Sequence, residues 1–346
     1  MQSIVSDTSV CVDWLQGTFK FPSYAEFELF FDDLLLFEDR FVLQPKTIFK
    51  GKLYKNVRKS TLGALVAYNF PDDRGIIDCW FSLNAEFLRS VPSRHLYRFI
   101  YLLFAVHGAK FTRLDTALDD YSKSISKEIL QQAIEAGNFV GFENYNLNNS
   151  RKNKVKGFCF YLGSRESDKF MRIYDKCAQS GGVIDSYRFE VENKNERAQY
   201  VAQHISNAFY CDSFSDDTDE AFNPSINDVL MNSVLSAVNF VDRAADSNIS
   251  RCPRLVWWSD FLLYCRTVPK AIKLPKPVPT LQKTFDWIAK QVETSIAMAY
   301  EFLGDEFNDW IFATLQSGLE RLTPSHMAVV QVASSQVVDT CRTFAV

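Results

Sequence analysis

Apolar and polar positions alternate with a period of two along some stretches of this chain and with a period near 3.6 along others, which predicts both strands and helices. Residues 9–21 (SVCVDWLQGTFKF) read as an opening strand, and 23–37 (SYAEFELFFDDLLLF) as a helix behind a capping serine. Strands are expected at 64–69 and 76–82, joined by a PDDRG turn. Residues 93–108 predict a helix with a serine cap and a glycine stop, KFTRLDTALDDY a strand, and 124–139 a second helix ending at a glycine. Three strand-like segments fill 154–197. Beyond Asn193 the pattern turns helical, through NERAQYVAQHISNAFY and INDVLMNSVLSAVNFVDRA. The adjacent tryptophans of RCPRLVWWSDFLLYC suit a core better than a site.

This succession predicts an α+β fold: a central, largely antiparallel sheet flanked by helices, with a mostly helical C-terminal part. The expected organisation is an α+β domain over 1–207 and a helical extension over 208–270. A proline-rich linker at 271–280 and a helical segment over 281–346 complete it. In the last segment Leu281, Phe285, Ile288, Val292, Ile296 and Ala299 keep a 3.6 period, and a further helix is expected over 306–322.

The same alternation sorts chemistry onto faces. In MRIYDK, residues Phe170, Arg172, Tyr174 and Lys176 share one side of a strand; in YRFEVEN, Arg188, Glu190 and Glu192 share one side; in FTRLDTALDDY, Arg113, Asp115, Ala117 and Asp119 do. If these strands belong to one sheet, a phenol, several cations and clustered carboxylates line a single surface. Such a set suits work on a phosphodiester. Carboxylates clustered without histidine suit Mg²⁺ or Mn²⁺, and Arg165, Arg172 or Arg188 suits a bidentate phosphate grip. Each strand taken alone reads sooner as a solvated face with weak surface ion pairs, and Tyr174 alone as a half-buried strand tyrosine.

Net charge adds a second signal. It is only −4, which argues against non-specific coating of nucleic acid, but the charge is segregated. Residues 40–60 carry Arg40, Lys46, Lys50, Lys52, Lys55, Arg58 and Lys59 without an acid, and Arg151, Lys152, Lys154 and Lys156 form a second track. Acid gathers in CDSFSDDTDEAF. Both basic tracks are candidates for phosphate contact or plain solvated loops.

Other chemistries find no support. The 8 cysteines include no CxxC pair, so reduced thiols are expected. The 4 histidines (His95, His107, His204, His326) stand alone. No GxxxxGK[ST] or GxSxG occurs. The longest apolar run, 99–106, is too short to span a bilayer, and the opening residues lack the layout of a secretory signal.

FTRLDTALDDY, FYLGSRESDKFMRIYDK and YRFEVENKNERA, in that order and spacing, resemble the replication initiation factor family (Rep_trans). That family includes rolling-circle plasmid initiators, relaxases of integrative conjugative elements and filamentous-phage replication proteins. VDWLQGTF is similar to its opening strand, and PKPVPTLQKTFDWIAKQV to a tail of phage members. The resemblance implies a metal-dependent, site-specific nickase that becomes joined to the 5′ end it makes. Tyr174 takes the nucleophile's position, with Tyr161 and Tyr187 as rivals. Asp115, Asp119, Glu190 and Glu192 take the acidic positions, and Arg113, Arg172, Lys176 and Arg188 the basic ones. Lys50, Lys52, Lys55, Arg58, Lys59, Arg151, Lys152, Lys154 and Arg165 are the expected DNA contacts. Expected partners are double-stranded origin DNA and single-stranded DNA, with a host helicase and a second copy of the chain as further candidates. No membrane is implied, and the bacterial cytoplasm is the expected location. A conjugative relaxase with the same chemistry, or an origin-binding regulator that does not cut, are the alternatives.

Overall fold

The structure, a computed structural model, describes residues 7–35, 41–44, 47–49, 52–152, 155–214, 225–266, 285, 288–323, 326–327 and 330. The chain divides into two compact units, Met1–Leu274 and Pro275–Val346. The proline-rich stretch 271–280 lies outside the described residues.

The strands of the first unit are β1 (Thr8–Phe21), β2 (Phe41–Gln44), β3 (Thr47–Phe49), β4 (Lys52–Tyr54), β5 (Asn56–Ser60), β6 (Leu65–Tyr68) and β7 (Ile77–Asn84). They continue with β8 (Lys110–Asp120), β9 (Phe139–Val140), β10 (Tyr145–Lys152), β11 (Val155–Leu162), β12 (Lys169–Asp175), β13 (Tyr187–Lys194) and β14 (Asn239–Phe240). Its helices are α1 (Tyr24–Leu35), α2 (Ala85–Arg89), α3 (Ser93–Tyr101), α4 (Lys127–Glu135), α5 (Lys176–Ser180), α6 (Asn195–Phe214), α7 (Ile226–Leu235) and α8 (Val256–Tyr264). Ten strands form one sheet in the order β10-β11-β12-β13-β8-β1-β7-β6-β5-β2, and every pairing in it is antiparallel. The α+β fold expected from the sequence is therefore the fold found.

Alternation along the strands decides what the two faces hold. On β8, Leu114 and Leu118 turn towards the helices, while Asp115 and Asp119 turn away. Over the half of the sheet around β1 and β7, Phe19, Phe81 and Phe111 pack with Phe27 and Phe31 of α1, Phe99 of α3 and Val201 of α6. Their rings meet edge-on or tilted, as in Phe27–Phe31 at 5.0 Å and Phe81–Phe99 at 5.8 Å. Over the other half, Leu118, Ile173 and Phe189 pack with Leu130 of α4, Val234 of α7, and Trp258 and Phe261 of α8. Much of the Phe content thus lies in these two cores. The opposite face carries a small apolar cluster, Tyr54, Val57, Ala67 and Trp80, at its β5–β7 end.

The pairing of β1 with β8 slips between Val12 and Trp14, so Asp13 is the extra residue of a bulge. A second slip falls at Gly17, where a Cβ would come within 2.8 Å of the Lys110 carbonyl. Only glycine lets β1 and β8 stay in contact through that slip.

Several expected elements are displaced for local reasons. The cap of α3 is Pro92, not Ser93; its fixed φ starts the helix without a side-chain hydrogen bond. In α4 the cap is Ser126, accepting from the Ile129 amide at 3.3 Å, because Ser124 is engaged with Asp120 at 2.8 Å. The helix expected over INDVLMNSVLSAVNFVDRA stops at Leu235, since fully buried Phe240 is drawn into β14 against β9. Residues 40–60, read only as a basic track, supply β2 to β5, and β10 was not foreseen.

The second unit contains a π-helical turn, Ile288–Val292, then α9 (Glu293–Leu303) and α10 (Phe307–Glu320). None of the described helices is long and apolar enough to cross a membrane.

Candidate active site

The antiparallel register of β12, β13 and β8 lays the sequence-derived residues out in rows. Tyr174 lies across from Arg188 and Arg188 across from Asp119; Arg172 lies across from Glu190; Phe170 lies across from Glu192 and Glu192 across from Asp115. All project from the face opposite the two large apolar cores. Lys176 joins them by another route. The strand ends at Asp175, whose side chain caps α5 by accepting from the Ala178 amide, and Lys176 opens that helix. Its Nζ lies 5.6 Å from the Tyr174 ring centre.

These side chains form two ion clusters with Tyr174 between them. In the first, Arg188 is almost fully buried; it donates from Nε and Nη2 to the two oxygens of Asp119 at 2.8 and 2.6 Å, and from Nη1 to Asp13 at 2.6 Å. Ser186 donates to Asp119 at 3.1 Å, and Arg89 of α2 stands 3.6 Å from Asp13. Burial opposes the charge on Arg188, but the bonds and field of Asp119 and Asp13 outweigh it and hold its pKa above the ordinary value.

In the second cluster Arg113 grips Asp115 with Nε at 2.9 Å and Nη2 at 2.5 Å, and reaches Glu192 at 3.0 Å. Lys194 meets the other oxygen of Glu192 at 3.0 Å. Arg172 donates to Oε1 of Glu190 and lies 3.9 Å from Asp115. Burial pushes Asp115 up to about 7, against the pull of Arg113 and helped by Glu190 and Glu192.

Tyr174 is 7% exposed, and its hydroxyl donates to Oε2 of Glu190 at 2.9 Å. Burial and the Glu190 charge raise its pKa well above the usual phenol value. Lys176 moves the other way: burial, and then Arg188, lower its pKa. A protonated phenol thus sits against a carboxylate, with an ammonium that loses its proton more readily than usual beside the ring. That arrangement can transfer a proton in each direction.

The rival tyrosines separate by face. Tyr187 is on the helix-covered side, edge-on to Phe158 at 5.0 Å. Tyr161 is on the site face, directly across from Arg172.

The expected metal set does not fit a resident ion as arranged. Asp119 belongs to the cluster sealed by Arg188, while Asp115, Glu190 and Glu192 are held apart by Arg113 and Arg172. Among the described residues no three Asp, Glu, His or Cys side chains converge on one point. Guanidinium groups stand where a cation would.

The expected DNA contacts scatter. Exposed Lys59 lies in the row Lys59, Leu65, Ser82, Gln16, Arg113, and so extends the site face across the sheet. Arg58, one residue earlier, points to the other side and donates to the Tyr68 hydroxyl at 3.3 Å. Lys55 is exposed at the β4–β5 junction, and Arg165 is exposed in the loop after β11. Lys50 and Lys154 lie outside the described residues, and for Lys52, Arg151 and Lys152 only the strand backbone is described.

Sequence reasoning missed Asp13, Ser186 and Arg89. Asp13 left a trace: Val12-Asp13-Trp14-Leu15 breaks the alternation of the opening strand, as a bulge does. Ser186 and Arg89 left none, because a turn and a one-turn helix carry no periodicity to read.

The rolling circle replication initiator protein from Geobacillus stearothermophilus has a similar structure, with a TM-score of 0.58 and 24% sequence identity; the likeness covers 77% of this chain and 100% of that one. It establishes a common fold. No curated protein matches the chain. The model of the replication initiation factor family matches residues 109–315, which hold β8, β12 and β13 and all of the sequence-derived site on them. That match covers more than half of the chain, and the chain belongs to the replication initiation factor family.

Proposed function

We propose that this chain initiates rolling-circle replication by nicking one strand of an origin through Tyr174. The observation that carries the reading is the hydrogen bond from the buried Tyr174 hydroxyl to Glu190, beside the partly exposed Arg172. Glu190 accepts the phenol proton as the phenol oxygen attacks phosphorus. The new O–P bond joins tyrosine to the 5′ phosphate, and the bond from phosphorus to the 3′ oxygen breaks. Lys176 supplies the proton that the departing 3′ oxygen takes up. Arg172 exchanges part of its grip on Glu190 for a phosphate oxygen and stabilises the charge that builds there. Since the ester keeps the energy of the original linkage, a 3′ hydroxyl can reverse the step and religate the ends.

Asp115, Glu190 and Glu192 would hold Mg²⁺ or Mn²⁺ only if Arg113 or Arg172 moved away, and the ion would then help to neutralise charge on the phosphate oxygens. Double-stranded origin DNA is the first substrate and single-stranded DNA the product held. A conjugative relaxase would run the same chemistry on the same residues.

The test incubates the chain with labelled supercoiled DNA of its own replicon, with Mg²⁺, Mn²⁺ or a chelator, and maps any peptide linked to DNA. The expected result is a nicked circle and a linked peptide containing Tyr174, both lost in Tyr174→Phe. Cleavage that persists in Tyr174→Phe would indicate a water-using nuclease. Salt-sensitive binding without any nick, under every metal condition, would indicate a regulator.

A further inference from the structure

Beside Tyr174, on the edge-ward strands of the same face, lies an aromatic feature that the nicking chemistry leaves unused. Strand β11 runs next to β12 with Cys159 across from Tyr174 and Tyr161 across from Arg172. A cleft of about 230 Å³ opens there, lined among others by Cys159, Tyr161, Arg172 and Tyr174. Its floor at Gly157 has to be bare, because a Cβ would come within 2.4 Å of the Ala178 side chain on α5. The Tyr174 phenol and the Tyr161 ring both line the cleft.

That ring is held in place. It lies nearly parallel to Phe170, at 15° and 5.8 Å between centres. The exposed guanidinium of Arg165 sits 5.9 Å from the Tyr161 ring centre and 5.6 Å from that of Phe170. Phe170 is buried, whereas Tyr161 keeps part of its surface in solvent. A flat, fixed, partly exposed ring with a movable cation above it matches the face of a nucleobase, which stacks on aromatic rings and on guanidinium planes alike.

We infer that Tyr161, packed beside Phe170 and Arg165, seats the unpaired base of a nucleotide adjoining the phosphate that Tyr174 attacks. This rests on the proposed function for the phosphate at Tyr174. Tyr161 and Cys159 are two residues apart on one strand, roughly 7 Å, about the reach of one nucleotide from the phosphate. A base still paired in duplex has both faces covered by its neighbours, so the seat selects single-stranded or extruded DNA.

The test measures binding of two labelled probes, oligothymidylate and an abasic strand of the same length, to Tyr174→Phe protein so that no covalent step intervenes. Adding Tyr161→Leu should weaken oligothymidylate roughly 5- to 150-fold, the range for loss of one stacked base, and leave the abasic strand unchanged. Tyr161→Phe should keep both affinities and, with Tyr174 intact, adduct formation. Equal loss on both probes, or loss on neither, overturns the base seat. Loss of the adduct in Tyr161→Phe overturns it too, by making Tyr161 the nucleophile. Base-dependent binding through Tyr161, in a chain whose adduct forms without Tyr174, would keep the seat and sink the nucleophile.

Discussion

Two arginine–carboxylate clusters share one face of the sheet and are built from the same residue types, yet they stand in different solvent. The Arg188 side chain is 2% exposed, against 24% for Arg113 and 27% for Arg172. In the sealed cluster an exchange of partner would leave a bare charge in a medium of low polarity, which is costly. In the open cluster water can stand in while Arg172 changes partners. The first is suited to fixing β1, β8 and β13 together, and the second to taking up a phosphate. Residue type and strand parity alone do not separate a lock from a tool; access to water does.

The largest effect on stability is expected from Arg188→Met, which strands Asp119 and Asp13 and should cost about 3–5 kcal/mol in urea unfolding. A loss no greater than that of Arg172→Ala would erase the distinction. On the proposed chemistry Tyr174→Phe should abolish the adduct, and it takes the hydrogen bond from buried Glu190, a loss of about 1–3 kcal/mol. Arg172→Ala strips buried Glu190 of its charged partner and should cost about 1–3 kcal/mol of stability while slowing adduct formation roughly 10²- to 10³-fold. Single-turnover gels read the second number.

A pH series sharpens the contrast further. Asp115 keeps its proton in the folded chain up to about 7, whereas the unfolded chain releases it near the ordinary carboxylate value. Between those values the folded state binds more protons, so this residue's contribution to stability falls as pH rises through the window. Asp115→Asn should flatten that fall in melting curves recorded across it. The smallest effect belongs to exposed Lys59: Lys59→Gln should shift stability by less than about 0.5 kcal/mol. The same variant should lower the slope of DNA affinity against salt by about one.

How much of this was legible beforehand differs from residue to residue. Period-two spacing put Arg172 with Tyr174, Glu190 with Glu192, and Asp115 with Asp119, because successive strand residues must point to opposite faces. Lys176 was placed correctly beside Tyr174 for the wrong reason, since it begins a helix and does not continue the strand. Arg58 and Lys59 were read together as phosphate contacts, but adjacency in a strand sends them to opposite sides. The basic composition of 40–60 hid strands whose partners are remote in sequence, and remote pairing has no local signature.

By itself the amino-acid sequence determined the strands β8, β12 and β13, the face that their alternating polar side chains share and the family, because these follow from local periodicity and motif spacing. Only the tertiary structure decided which carboxylate each arginine holds, that Asp13 joins Arg188 through a bulge, and that Tyr161 rather than Tyr187 flanks Tyr174. Those outcomes depend on the register between strands far apart in the chain and on how much water each pair retains, and neither quantity is written in any single stretch of residues.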